Sequence, residues 1–257
     1  MLKAVLFDVD GTLAETEEYH RCAFNAAFAQ LGVQAHWSAQ QYRELLKVTG
    51  GKERLRAYFT QRGDLPDDAQ IAQLHAAKNA LYAQGIAAGA ARLRPGVQRL
   101  MHEAQRAGVR LGIATTTSEV NLDALLRPLL GAQWSRAFSC VVAGDQVAHK
   151  KPAPDVYLAC LARLDIGAHE AVAIEDSAAG VRAARAAGIA VVATPSQYTD
   201  TDDFSQADCL LPHLGEPDLP WEHLPPGFAQ RRLQLADLQR LAGGERRAKA
   251  GALAPQD

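Results

Sequence analysis

The chain has no long apolar run, no paired cysteines and almost no excess of charge, and each absence removes a class of function. No segment of the 257 residues reaches the roughly 20 apolar positions in a row that cross a bilayer. The N-terminal run "KAVLF" is too short, and too soon followed by charge, to be a secretion signal. A soluble, cytoplasmic protein without a membrane partner is therefore expected. Cys22, Cys140, Cys160 and Cys209 are scattered, with neither a C-x-x-C pair nor the histidine spacing of a zinc site. Four buried thiols in a reducing compartment are expected. Lys and Arg number 27 against 29 Asp and Glu, a net charge of −2, so the clustered positive charge of a general nucleic-acid binder is missing. Any basic patch must be local. What is present is 48% apolar residues, enough to bury the core of one large domain or of a domain carrying an insertion.

Five short apolar runs read as buried strands: "KAVLF" (3–7), "VRLGIA" (109–114), "FSCVV" (138–142), "AVAI" (171–174) and "IAVVA" (189–193). They alternate with helical patterns, of which 96–108 and 178–188 both end on a capping glycine. The fold class is α/β, a doubly wound parallel (Rossmann-like) sheet, and such sheets bind ligands at the carboxyl ends of their strands. The interval 15–93 breaks the rhythm. It holds a helix opening at "TEEYH" with Thr16 as N-cap, further helical patterns at 52–62 and 70–88, and no convincing strand. An inserted all-α cap between the first and second strands is expected. The core would then be discontinuous, 1–14 and 94–215, with hinges near 14 and 94. Residues 216–257 form an extension in which a short helix at 229–242 precedes a poorly ordered tail.

The chemistry sits where the strands end. "DVDGT" places Asp8 and Asp10 two apart, able to face one side of the chain before Gly11 turns it. "TTTS" (115–118) puts hydroxyls and backbone N–H groups at a helix start, which suits an oxyanion. "HKKPAP" carries Lys150 and Lys151, and "IEDS" carries Glu175 and Asp176 before Ser177, the N-cap of the next helix. An acidic pair there suits a hard cation such as Mg²⁺. Each feature alone has an ordinary reading as turn carboxylates, surface lysines or a capped helix. Together, in order, at four consecutive strand ends, they form a pattern.

That pattern closely resembles the haloacid-dehalogenase superfamily of phosphohydrolases, whose four motifs correspond to "DVDGT", Thr115, Lys151 in "KKPAP", and "EDS" (175–177). The resemblance covers the chain to about residue 215, and the insert's position matches members with a helical C1 cap. It implies Asp8 as nucleophile through an aspartyl-phosphate, Asp10 as acid and base, and Thr115 and Lys151 on the transferring oxygens. Mg²⁺ would be held by Asp8, the Asp10 main-chain oxygen and Asp176, with Glu175 direct or behind them.

The cap bears on the substrate. Glu17, His20 and Phe24 share one face of its first helix, and "LLKVTGGKERL" supplies Lys47, Gly51, Lys52 and Arg54. Lysine and arginine at a helix start are unfavourable by roughly 0.3–1 kcal/mol each unless an anion binds. Lys78 shares the apolar face of a later helix, where many lysines simply snorkel. "ETEEYHRCAFNAAF", "YRELLKVTGGKERLRAYF" and "GIATTTSEVNLDAL" look like the CbbY-type branch, associated with the Calvin–Benson cycle. That likeness implies a xylulose-1,5-bisphosphate phosphatase yielding xylulose 5-phosphate, and adds Tyr42 and Thr116 as substrate contacts. A monomer acting on a small phosphosugar is expected. β-Phosphoglucomutase, phosphoglycolate phosphatase and a catalytically silent binding protein on the same fold remain as alternatives.

Overall fold

Residues 1–89 and 91–244 are described by a computed structural model. The expected strands form β1 (Ala4–Phe7), β2 (Arg110–Ala114), β3 (Cys140–Val142), β4 (Ala171–Glu175) and β5 (Ala190–Ala193), and β6 (Cys209–Leu210) extends the sheet. Every pairing is parallel and the order is β3-β2-β1-β4-β5-β6. β1 is therefore central, and the reversal of winding falls beside it, which opens a crevice at its carboxyl end.

Alternation along each strand divides the core. Val5 and Phe7 face a layer built with α5 (Val97–Arg106) and α6 (Glu119–Leu130). Ala4 and Leu6 face α7 (Asp155–Leu164) and α8 (Ala178–Ala186). Both faces of the sheet are covered, so strands of almost unbroken apolar character are stable there.

Between β1 and β2 lie four helices: α1 (Glu17–Gln30), α2 (Ala39–Leu45), α3 (Gly51–Arg62) and α4 (Asp68–Ala87). α2 was not anticipated; Ser38 caps it by accepting from the Gln41 N–H. α4 starts with a reciprocal capping box between Asp67 and Gln70. The insert has an aromatic core of its own, with Trp37 wedged among Phe24, Phe28, Tyr42 and Tyr58.

Two expectations change. The helix expected at 229–242 is shorter, α9 being confined to Leu235–Ala242, and ahead of it Trp221, Phe228 and Leu233 are buried. Arg99 holds this segment by donating to the carbonyls of Leu214, Gly215 and Leu233. The tail from 245 onward lies outside the described residues. Cys22 is exposed, while the other three thiols are buried. No helix among the described residues is long and apolar enough to cross a membrane.

Candidate active site

Asp8 continues the β1 ladder, its N–H donating to the Ile174 carbonyl at 3.0 Å, and its side chain emerges where three strands end. Lys151 joins those ends. Its Nζ donates to Asp8 Oδ1 at 2.6 Å, to Glu175 Oε1 at 2.6 Å and to the Ala114 carbonyl at 2.8 Å. Tyr157, on α7, donates to the same Glu175 oxygen at 2.5 Å. Glu175 is fully buried behind this lysine and does not line the cavity. It positions Lys151, and its Oε2 has no hydrogen-bond partner among the described residues.

Gly11 follows at φ +82°, and a Cβ on it would lie 2.1 Å from Asp176 Oδ2. Only glycine lets the β1 loop lie against that carboxylate. Asp8, Glu175 and Asp176 each offer an oxygen within 4.8 Å of the others, and all three are buried. Burial first, then Asp8 and Glu175, raises the Asp176 carboxyl well above its usual range. Burial likewise lifts Asp8 to about 7, against the pull of Lys151. One lysine thus leaves the carboxylates under-compensated, and an all-oxygen, electron-rich set of this kind fits a hard divalent cation.

Asp10 has a different environment. Thr16 donates its hydroxyl to Asp10 Oδ1 at 2.6 Å and His20 Nε2 meets the same oxygen at 3.0 Å. Thr16 does precede α1, but its side chain caps no helix N–H, because Asp10 takes it. Burial, reinforced by Lys78, lowers the His20 pKa against the pull of Asp10, and the ring stacks 4.0 Å from Tyr82. Although burial opposes ionisation, His20 and Thr16 hold Asp10 at about 2. The two aspartates thus differ in proton affinity: with only Lys151 to offset its burial Asp8 holds a proton the more tightly, and a cation at the acidic cluster would favour its ionised form.

Thr115, buried beyond β2, accepts from the Thr117 N–H at 3.2 Å, which curls the hydroxyl loop over the Asp8 end. Gly144 seats that loop from below. Its N–H donates to the Thr117 carbonyl at 2.9 Å, and an added Cβ would lie 2.2 Å from the Thr116 carbonyl oxygen.

A cavity of about 410 Å³ lies between these strand ends and the insert. Asp8, Asp10, Thr115, Thr116, Lys151 and Asp176 line it from the sheet, and Glu17, His20, Lys47, Gly51, Lys52, Arg54 and Lys78 from the helices. Tyr42 does not line it. It lies buried behind Glu17, donating to Glu17 Oε2 at 2.9 Å and accepting from Arg54 Nη1 at 2.9 Å. Arg54, expected to destabilise its helix start, is instead spent on Tyr42 and on the Leu45 carbonyl. Lys47 is mostly exposed at the rim and paired with Glu44 at 2.5 Å. Lys78 is 3% exposed, makes no ion pair among the described residues, and sits 5.1 Å from the Phe24 and Tyr82 ring centroids. Burial lowers its pKa to about 7.

Tyr157 and Gly144 support this site and carried no sequence signal, since a lone tyrosine or glycine far from a motif looks like any other.

Residues 2–188 match the haloacid dehalogenase-like hydrolase family. The chain is 49% identical over 245 residues to plasmid-borne CbbY of Cupriavidus necator, covering 93% of this chain and 96% of that protein. Among solved structures it superposes on CbbY from Rhodobacter sphaeroides in complex with phosphate with a TM-score of 0.79. Identity there is 48%, covering 83% of this chain and 95% of the other. A mutant of that protein in complex with xylulose-1,5-bisphosphate gives the same values.

Proposed function

The chain belongs to the haloacid dehalogenase-like hydrolases, and from that premise we propose that it is a Mg²⁺-dependent phosphosugar phosphatase, converting xylulose 1,5-bisphosphate to xylulose 5-phosphate and phosphate. In this reading residues 15–93 are the cap, 1–14 with 94–215 the catalytic core, and 216–257 an extension. The observation that carries the substrate class is Lys78: a buried side chain that makes no ion pair among the described residues and faces the same cavity as Asp8 and Lys151. Two separated cationic positions suit a ligand with a phosphate at each end. The R. sphaeroides mutant complex supports the choice of sugar.

Asp8 attacks phosphorus in line, a P–O bond to Asp8 forms, and the P–O bond to the sugar breaks. Lys151 and the Thr115 loop bind the oxygens on which charge accumulates. Asp10 is ionised before substrate arrives. A phosphate dianion beside it favours proton uptake, after which it can protonate the departing alkoxide. The same carboxylate then removes a proton from the water that hydrolyses the aspartyl-phosphate. Asp8 and Asp176, with Glu175 behind them, would hold a divalent cation, which lets an anionic nucleophile meet an anionic ester. Glu17, fixed by Tyr42, faces the sugar.

The test is phosphate release from a panel of sugar mono- and bisphosphates with and without Mg²⁺, alongside Asp8→Asn. Preference for xylulose 1,5-bisphosphate, lost with Asp8→Asn or on chelation, is expected. Glucose 6-phosphate formed from β-glucose 1-phosphate would make the enzyme a mutase, and preference for phosphoglycolate would refute the two-phosphate reading. No release from any ester would leave a binding protein on the same fold.

A further inference from the structure

Arg94 lies where the chain returns from the insert, just before Pro95, and its side chain is only 9% exposed. A buried guanidinium needs partners for each of its N–H groups. Nη1 donates to the Gly11 carbonyl and to the Thr194 carbonyl at 2.7 Å, and Nη2 to the Pro195 carbonyl at 2.7 Å. Nε pairs with Glu15 Oε1 at 3.1 Å. One side chain therefore touches the turn that follows Asp10, the outgoing chain segment at Glu15, and the segment beyond β5.

The backbone around it is equally joined. The Arg94 N–H donates to the Leu13 carbonyl at 2.8 Å, and Ala14 bridges Leu93, so the two chain segments linking sheet and insert run side by side. The end of the core and the start of the extension brace the second segment. The Leu214 N–H donates to the Pro95 carbonyl at 3.1 Å, and Glu216 Oε1 accepts from the Gly96 N–H at 2.8 Å. Any rotation of the insert relative to the sheet must pass through segments 13–16 and 92–95, and Arg94 is bonded to both. Because Gly11 lies directly against Asp176, a shift of its carbonyl moves the Asp10 loop relative to the acidic cluster.

We propose that Arg94 is a positioning residue for catalysis: it ties the two hinge segments to the Gly11 turn, so that hinge geometry sets where Asp10 stands against the leaving oxygen. Arg94 touches no substrate. Lysine cannot replace it, since one ammonium has no planar fork to span three carbonyls and a carboxylate.

The inference rests on the phosphatase reading, and leaving-group dependence tests it apart from that reading. Asp10 matters most when the departing oxygen is an alkoxide; the phenolate of para-nitrophenyl phosphate leaves without a proton. kcat/KM reports steps only up to release of the alcohol. Arg94→Lys is expected to lower kcat/KM about tenfold or more for the best phosphosugar of the screen and less than about threefold for the aryl ester. Equal losses on both esters, as a smaller folded fraction would cause, overturn the proposal, as does no loss on either. Glu15→Gln keeps every carbonyl bond and guards against a misfolded arginine variant. It is expected to shift the ratio of the two esters in the same direction by about threefold, and an unchanged ratio overturns the proposal. Wild-type enzyme that hydrolyses neither ester refutes the phosphatase reading itself.

Discussion

Replacing Lys151 with methionine would keep the aliphatic stem and remove the one charge that joins Asp8 to Glu175. Both of those ion pairs are 2.6 Å long and lie out of water, with Lys151 4% exposed, Asp8 10% and Glu175 0%. The carboxylates left behind, with Asp176, lie within 4.8 Å of one another. At that distance two like charges repel by about 3 kcal/mol at an effective dielectric constant of about 20. Stripping one partner from a buried pair commonly costs about 3–5 kcal/mol. In a chain of this size that is a fall in Tm of roughly 6–20 °C. The assay is thermal unfolding of both proteins in chelator and again in millimolar Mg²⁺. A cation at the acidic cluster substitutes for part of the missing charge and stabilises by mass action. The variant should therefore gain more from Mg²⁺ than the wild type does. A loss below about 1 kcal/mol in chelator, or an equal gain from Mg²⁺ in both proteins, would refute the view that the lysine holds the acidic cluster together.

Two further perturbations separate the halves of the site. With its pKa lowered to about 7, Lys78 loses its charge as pH rises past that value, the charged fraction falling about tenfold per unit. KM for the bisphosphate should thus climb between pH 7 and 9, whereas Lys78→Met should start high and stay level; steady-state kinetics across that range decide it, and a flat wild-type KM refutes the assignment. Gly144→Ala drives a methyl group into the Thr116 carbonyl, so it should cost about 1–3 kcal/mol of stability and lower kcat/KM alike for sugar and aryl phosphates. That is the opposite of the selective loss expected at Arg94, and the two-ester comparison measures it.

The strands and the insert were legible because their signals are local. "KAVLF" and "AVAI" are short, apolar and bounded by polar turns, so their character does not depend on knowing the neighbouring strand. The order of "DVDGT", "TTTS", "KKPAP" and "EDS" also predicted that their residues meet, since a parallel sheet brings successive carboxyl ends to one edge. Asp8, Lys151 and Asp176 accordingly line one cavity. The burial of Trp221 and Leu233 was not legible, because they lie far apart in a Pro-rich stretch without periodicity. Their burial comes from packing onto α5 and from the three carbonyls held by Arg99.

What the sequence determined by itself is the sheet edge at which these carboxylates, hydroxyls and the lysine gather, because strand alternation and helix caps act over a few residues. Direction belonged to the tertiary structure. Thr16 turns from its helix to Asp10, Tyr42 stands behind Glu17 instead of facing the cavity, and Glu175 supports Lys151 from below the cavity floor. Arg94 reaches a turn 83 positions earlier in the chain. A polar side chain removed from water takes whichever partner packing brings within reach, and that partner is set by the arrangement of whole elements.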